Sequence, residues 1–386
     1  MQQTGKPEIV FTLPACMGGV ASFNYNIVNY SKLIGNFHSK VILIRAKEDN
    51  RPLFKDSFKA DEVITFNYSY KENQYHVQKR LNDLLGSGEG AVITDNGLTI
   101  QAARRFNNTK TVFHLLHDYF YVSQNIQYGN LIDVAVAHSS FFSDAVYAAD
   151  PQSFAGRNFY IPYGVKQLQA MPEKNNVQLR LVFLGRLEHS KGVMLLHDVE
   201  TLLKAQNIQV QWTIIGKGPL KQQLQEQWEQ ADNVSFFEPD STGEVYTLLA
   251  QQDIFVFPTS FEGTPVSILE SLANAVVTIV NDLPGGIRDI VQEGIGYRVP
   301  LNDTEAFAGK IALLHQNRSL LQQMQKNCFE LAQKNYDILQ NADHYFSLFL
   351  EYTKWRRAEK KAVISLDRLD KKYMPNRVVK IVRQLK

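Results

Sequence analysis

Short apolar runs separated by stretches of helix length recur along the whole chain, and this alternation limits the fold more than any other feature. In the first half the runs fall at 9–14, 41–45, 63–66, 91–94, 111–116, 134–137 and 159–161, with helical patterns such as 21–34 and 73–85 between them. The second half repeats the grammar, with runs at 180–185, 211–215, 234–237, 254–258, 276–280 and 297–299. Strands alternating with helices imply parallel sheets covered on both faces, hence an α/β chain of two doubly wound, Rossmann-like domains. A length of 386 residues suits two such cores. Pro162 and Gly164, followed by a polar stretch, place the hinge at 163–169. In sheets of this kind ligands bind beyond the carboxyl ends of the strands.

Hydrophobic and charged fractions of 44% and 21% are those of an ordinary globular protein. Cys16 and Cys328 stand far apart and offer neither disulfide nor metal spacing, which agrees with a reducing compartment. The polar start reads as no secretory leader, and no apolar stretch reaches span length, so a soluble, cytoplasmic chain is expected. The net charge of +2 hides an asymmetry: residues 354–386 carry +9, against −7 for everything before them. Near the end, Val378, Ile381, Val382 and Leu385 recur at helical spacing, with basic residues largely on other faces. Two readings stay open: an anionic membrane surface as partner, or a tail helix docking its apolar stripe on the protein itself.

Glu262 and Glu270, with seven residues between them, straddle a strand-to-helix junction. The run 254–258 reads as a buried strand and 259–264 as a polar turn. Thr264-Pro265 then reads as an N-cap followed by proline at the first helical position. Such a junction aims free backbone N–H groups at phosphate or sugar oxygens. On a helical wheel Glu270 lies where an apolar side (Val266, Leu269, Ala273) meets a polar one (Ser267, Ser271, Asn274). A carboxylate held partly out of water there needs donors, and sugar or ribose hydroxyls would serve. The alternative is two surface glutamates at a chance spacing.

Five further elements follow at or near strand ends. After the first strand, Gly18-Gly19-Val20 precedes a helical pattern, either as a close approach to an anion or as a tight turn; it lacks the third glycine of the dinucleotide fingerprint. After 180–185, Gly185-Arg186 and Lys191-Gly192 could converge on a diphosphate, or be salt-bridged surface cations. Gly216-Lys217-Gly218-Pro219 is no P-loop, and a close-packed turn is the first reading, nucleotide contact the second. His114 and His117 would point to opposite faces of a strand and cannot chelate one metal; His117 is a cleft imidazole or a core histidine. Asn281 to Arg288 adds another glycine turn at Gly285-Gly286 on the same edge. No Asp-X-Asp pair occurs, so metal-independent chemistry is expected.

In this order, the blocks Gly18-Gly19-Val20, Gly185-Arg186-Leu187 with Lys191-Gly192, Ile215-Gly216-Lys217-Gly218-Pro219, Pro258 to Pro265 with Leu269-Glu270-Ser271, and Gly285-Gly286-Ile287-Arg288 resemble glycosyltransferase family 4. The resemblance is strong across the second half. In the first half it rests on Gly18-Gly19-Val20, the His117 block, 133–139 and 161–165. It implies the GT-B fold with an interdomain cleft and a retaining, metal-independent hexosyltransferase that needs no cofactor. The donor would be a UDP- or GDP-linked sugar, and the acceptor a glycan or lipid-linked molecule in surface polysaccharide synthesis. No nucleic-acid partner is expected. The corresponding domains are 1–165 on the acceptor side, 166–344 for the nucleotide sugar, and a basic helical tail, 345–386, returning to the first domain through the aromatic periodicity of 345–355. If that tail meets lipid, the protein would sit peripherally on the inner membrane face.

The same resemblance assigns Arg186 and Lys191 to the donor diphosphate and Glu262 to the donor sugar. Backbone at Gly185, Gly216, Gly218, Gly263, Thr264, Pro265 and Val266 would lie along the donor, Glu238 near the base, and Glu270 on the ribose. Gly18 and Gly19 would approach the diphosphate from the first domain, with His117 on the acceptor side. Ala275 and Val277 depart from the family's usual Gly and Pro, Tyr163 from its Asn, and Glu238 from its Gly. These departures leave base identity and local packing open. A nucleotide-sugar epimerase of the same fold and an inactive transferase-like partner subunit remain alternatives.

Overall fold

Apolar runs buried on both faces become central strands, and alternating ones become edges. The computed structural model, which describes residues 5–174, 177–358 and 365–384, shows this in each of two compact units, Met1–Pro162 with Ile338–Lys386 and Tyr163–Asp337.

In the first unit the strands are β1 (Glu8–Pro14), β2 (His38–Ala46), β3 (Glu62–Tyr68), β4 (Gly90–Thr94), β5 (Thr111–Leu116), β6 (Val134–Ala137) and β7 (Asn158–Tyr160). They form one parallel sheet in the order β3-β2-β1-β4-β5-β6-β7. β4, β5 and β6 are buried throughout, whereas the edge strand β3 alternates. The second unit holds β8 (Leu179–Leu184), β9 (Val210–Ile215), β10 (Val234–Phe237), β11 (Ile254–Phe257), β12 (Val277–Asn281) and β13 (Gly296–Val299), ordered β10-β9-β8-β11-β12-β13 and again parallel. Both sheets are doubly wound α/β.

In each sheet the winding reverses beside its first strand. The loops after β1 and β4, and after β8 and β11, therefore leave in opposite directions and open a crevice at the strand ends. This places Gly18 and Gly19 at one switch point, and Arg186, Lys191 and Glu262 at the other.

Helix starts follow their caps. Asn73 accepts from the Tyr75 amide (2.9 Å) at the head of Gln74–Leu85, and Asn96 and Ser139 do the same for Gly97–Arg105 and Ser140–Ala149. The helical pattern 21–34 is cut short: the helix is Gly19–Tyr30, followed by a 3-10 turn, Leu33–Asn36. Tertiary contact overrides periodicity here, because the Asp343 carboxylate accepts from Ser31 Oγ (2.8 Å) and the Lys32 amide (2.9 Å), holding the backbone out of the helix.

Asp343 belongs to the helix Ile338–Leu350, which packs on the first sheet through Phe346 and Phe349 against Phe11 and through Phe349 against Phe113. Trp355 then stacks edge-on against Phe159, 5.1 Å between ring centres. The contact boundaries thus fall at Pro162/Tyr163 and Asp337/Ile338, three and seven residues before those drawn from the sequence. Both cysteines are buried and free. Among the described residues no helix is long and apolar enough to cross a membrane.

Candidate functional site

The site in the second unit is built by glycines that let loops touch backbone to backbone. After β8, Leu187 is buried and both its amide and carbonyl are used, bonding Lys217 O and the Leu220 amide at 3.0 Å each. A Cβ at Gly216 (φ 151°) would lie 1.9 Å from Gly185 O, and one at Gly218 would lie 2.4 Å from Leu187 O. These two glycines therefore act as a close-packed turn that fixes the height of the Arg186 loop.

Gly192 (φ 66°) does the same for the Lys191 turn, since a Cβ there would meet Pro258 O at 1.9 Å. The turn is stitched to the loop after β11: Ser190 O accepts from the Ser260 amide (2.8 Å) and from the hydroxyls of Thr259 and Ser260 (3.1 Å each). The result is the contact between Lys191 Nζ and Glu262 Oε1 at 2.6 Å, with side chains 19% and 13% exposed. Burial raises the Glu262 pKa, and the Lys191 ammonium opposes that rise.

Arg186 does not join this pair. Its side chain is 72% exposed and ion-paired with Glu188, whose other oxygen accepts from Ser190 Oγ at 2.7 Å. The expected convergence of two cations is instead two separate ion pairs, Arg186–Glu188 within the loop after β8 and Lys191–Glu262 between that loop and the one after β11. Glu188 was not singled out from the sequence; its position midway between the two cations was the available signal. The Arg186 side chain reaches solvent, whereas the Gly185 amide is already bonded to Ile215 O at 3.0 Å, and Glu238, just after β10, is held by Lys221 (2.5 Å) and Lys217 (4.0 Å).

At the β11 junction the cap expectation is corrected. The helix is Val266–Ala273 and Pro265, not Thr264, is the N-cap residue, without a side-chain cap and with no acidic residue in the first turn. The Thr264 hydroxyl instead lies against the next glycine turn, where a Cβ on Gly286 would meet it at 2.6 Å, and the Gly286 amide bonds Gly263 O at 2.9 Å. First-turn amides are thus left for a ligand or water.

The helical-wheel expectation also changes. Ser271 and Asn274 are fully buried, and Asn274 Nδ2 donates back to Glu270 O at 2.9 Å. The face that reaches solvent is Val266, Ser267 and Glu270. Although an edge of Glu270 is exposed, burial pushes its carboxyl up to about 7, and no hydrogen bond or ion pair to it occurs among the described residues. A carboxyl in that position is matched to hydroxyl donors from a ligand.

In the first unit Gly18 (φ 157°, ψ 171°) sits at the N-cap of Gly19–Tyr30, in a region open to glycine alone, and nothing lies within 4 Å of a Cβ built on Gly18 or Gly19. Their backbone is therefore accessible. His114 is a core residue bonded through Nδ1 to Asn125 Oδ1 (2.7 Å). His117, expected to line a cleft, is buried against Phe23, Tyr121 and His138 at ring distances of 5.3, 4.9 and 4.6 Å, with burial driving its pKa well below 6.5. Asp95 follows β4 beside it, with Oδ2 3.9 Å from His117 Nε2 and the carboxyl pushed up to about 7 by burial. The sequence reading missed Asp95, a carboxylate directly after a fully buried strand at the β1/β4 switch point.

Residues 166–330 match the family model described as "Glycosyl transferases group 1". The chain is 30% identical over 146 residues to a putative colanic acid biosynthesis glycosyltransferase, WcaL, of Salmonella typhimurium, covering 35% of each chain. It is 27% identical over 175 residues to the amylovoran biosynthesis glycosyltransferase AmsK of Erwinia amylovora, covering 40% of this chain and 42% of that one. The matched region thus spans about a third of the length of the first curated relatives. Among solved structures, Anabaena HepE in complex with UDP and glucose superposes with a TM-score of 0.69 at 15% identity, over 89% of this chain and 99% of that one. Sucrose-phosphate synthase of Thermosynechococcus elongatus gives 0.72 at 15% identity, over 90% and 99%. With both sheets in the doubly wound order, the fold is the one seen in solved GT-B glycosyltransferase structures, and the stretch that carries Arg186, Lys191, Glu262 and Glu270 is the stretch that matches the glycosyl transferases group 1 model.

Proposed function

We propose that the chain is a retaining, metal-independent glycosyltransferase that moves a hexose-type sugar from a nucleotide diphosphate onto a glycan or lipid-linked acceptor in surface polysaccharide synthesis. The observation that carries the reading is the Lys191–Glu262 contact, stitched across the β8/β11 switch point inside the group 1 domain. Breaking the anomeric bond puts negative charge on a leaving diphosphate. Lys191, Arg186 and the uncapped amides at Val266 and Ser267 are the groups on these loops that oppose it.

In this reading Glu262 holds hydroxyls of the donor sugar, and Glu270 accepts from the ribose hydroxyls that its unpartnered carboxyl lacks. The new bond forms between the anomeric carbon and the acceptor oxygen on the face the diphosphate leaves. The acceptor proton passes to the departing phosphate oxygen, so no protein nucleophile and no metal enter the step. Because HepE binds UDP and UDP-glucose and the pneumococcal transferase GtfA binds UDP, UDP-linked sugars are the first donors to test.

Thermal unfolding in the presence of UDP, GDP, ADP and their sugars tests the binding half, since a ligand specific for the native state raises its stability by mass action. A rise with one nucleoside diphosphate that disappears in Arg186→Ala and Lys191→Ala supports the assignment. Absence of any rise, or an unchanged rise in both variants, removes it.

A further inference from the structure

The helix Asn376–Gln384 divides into three faces, and among the described residues one of them is docked on the protein. The first, Asn376, Val379 and Arg383, docks on the head of Gln74–Leu85. Asn376 Oδ1 accepts from the Asn73 amide (2.7 Å), the Arg383 guanidinium donates to Glu72 O (2.5 Å) and pairs with Asp370 (2.8 Å), and Val379 is fully buried. The preceding turn adds Asn73 Nδ2 donating to Lys371 O (2.9 Å) and Met374 O (2.7 Å), and the Gln74 amide donating to Asp370 Oδ1 (2.7 Å). The helix is therefore fixed by polar bonds and one valine. The apolar stripe read from the sequence is not what docks; its last member, Leu385, lies outside the described residues.

At 100° per residue the stripe points away from the docked face. Val378 and Ile381 are 44% and 58% exposed, and Tyr373, just before the helix, is 79% exposed. Arg377 and Lys380 form the third face, and Lys372 stands next to Tyr373. From Lys371 to Gln384 there are five basic residues and no acidic one. Tyr70, whose carbonyl lies 3.5 Å from the Arg383 guanidinium, adds another exposed aromatic on the adjoining turn, followed by exposed Lys71.

Exposed aliphatic side chains beside cations that have no ion pair among the described residues, on a helix pinned from behind, fit one occupant. The geometry points to an anionic lipid surface that takes up Tyr373, Val378 and Ile381 while Lys372, Arg377 and Lys380 meet the headgroups. A purely apolar protein groove would satisfy the stripe but leave the cations without partners, whereas an acidic bilayer satisfies both at once. This attachment is independent of the donor chemistry, so a failure of either leaves the other standing.

The test is co-sedimentation of the full chain with vesicles of phosphatidylcholine alone and of phosphatidylcholine mixed with phosphatidylglycerol. Pelleting is expected with the mixed vesicles only, and is expected to weaken as salt is raised. Lys372→Gln, Arg377→Gln and Lys380→Gln should each lower partitioning about fivefold. Val378→Ser with Ile381→Ser should lower it about tenfold or more. Arg383 is left intact because its guanidinium holds the dock, and unchanged thermal midpoints certify the fold of each variant.

Ile381→Trp gives a second readout: its emission should shift to the blue and be quenched by brominated lipid. Equal pelleting by parent and variants, equal pelleting on neutral vesicles, or a tryptophan indifferent to lipid would overturn the proposal. So would lipid-free sedimentation velocity showing a dimer that Val378→Ser with Ile381→Ser dissolves, which would assign the face to a second copy.

Discussion

Lys191 Nζ and Glu262 Oε1 lie 2.6 Å apart although 71 positions separate them, because a left-handed glycine lets one turn rest on the end of β11. Both groups are mostly out of water, so removing either leaves the other short of a partner. Lys191→Ala is expected to cut sugar transfer by about two to three orders of magnitude, as losing a preorganised donor at a developing charge does. Glu262→Gln should act mainly through the sugar, lowering kcat/KM while nucleoside diphosphate binding persists. Equal loss of nucleotide binding in both variants would contradict the division of roles.

Arg186 carries a different expectation, because Glu188 already occupies it. A diphosphate has to displace that carboxylate, so the ion pair competes with the donor. Glu188→Gln should tighten nucleoside diphosphate binding several-fold, and Arg186→Ala should abolish the gain. Calorimetric titration of the two variants and their combination measures the coupling.

Glu270 gives a pH dependence with a definite sign. Its folded pKa is raised from 4.5 to about 7, so the folded state keeps a proton that the unfolded chain has lost. The stabilisation from this site is complete below pH 4.5 and disappears as the pH climbs through 7. Partial exposure limits the effect to about 1–3 kcal/mol. Glu270→Gln should flatten the profile and leave the variant more stable than the parent at pH 8. Donor binding should run the other way. UDP-glucose, whose diphosphate charge is constant over this range, should bind the parent more tightly at pH 8 than at pH 6, and Glu270→Gln should bind it with no such trend.

The strands and the order of the blocks were legible because parallel β/α units write themselves as local patterns. Runs at 91–94, 134–137 and 254–258 became strands within a residue at each end. What escaped was decided by contacts distant in sequence. The helix expected over 21–34 stops at Tyr30 because Asp343 intervenes, and Ser271 and Asn274 look like a solvent face in sequence yet are fully buried in the second unit, where the helix Arg318–Asn335 packs on Val266–Ala273. His117 and Arg186 were named correctly as residues at strand ends, but periodicity says nothing about which neighbour a side chain finds there. For His117 that neighbour is an aromatic cluster, and for Arg186 a glutamate two residues on.

Asp133 supports the first sheet from within. Its carboxylate is ion-paired with Arg104, both side chains 1% exposed, and accepts from the Val112 amide (2.8 Å) and the Arg357 amide (3.0 Å). Asp133→Ala would leave a buried guanidinium and a strand amide unsatisfied, so a loss of about 3–5 kcal/mol is expected. Urea unfolding of the two proteins measures it, and a difference below about 1 kcal/mol would place the support elsewhere.

Two left-handed positions give opposite expectations for the same pair of residues. Gly192→Ala imposes about 1–2 kcal/mol of backbone cost and a clash with Pro258 O, so it should destabilise the domain and separate Lys191 from Glu262. At Ala275 the situation is reversed. The helix Val266–Ala273 ends in a Schellman motif, the Val276 amide bonding Ser271 O and the Ala275 amide bonding Leu272 O at 2.9 Å each, and Ala275 takes the left-handed position at φ 56° that glycine usually fills. Ala275→Gly removes the strain but adds freedom to the unfolded chain, worth about 0.4–1 kcal/mol against it. A net gain of about 0.5–1 kcal/mol is expected, or a rise of about 1–4 °C in the thermal midpoint. Nucleotide binding should stay unchanged, because the substitution lies at the far end of the helix from Val266. A lower midpoint would mean that the Ala275 methyl, fully buried, contributes more through packing than its backbone loses through strain.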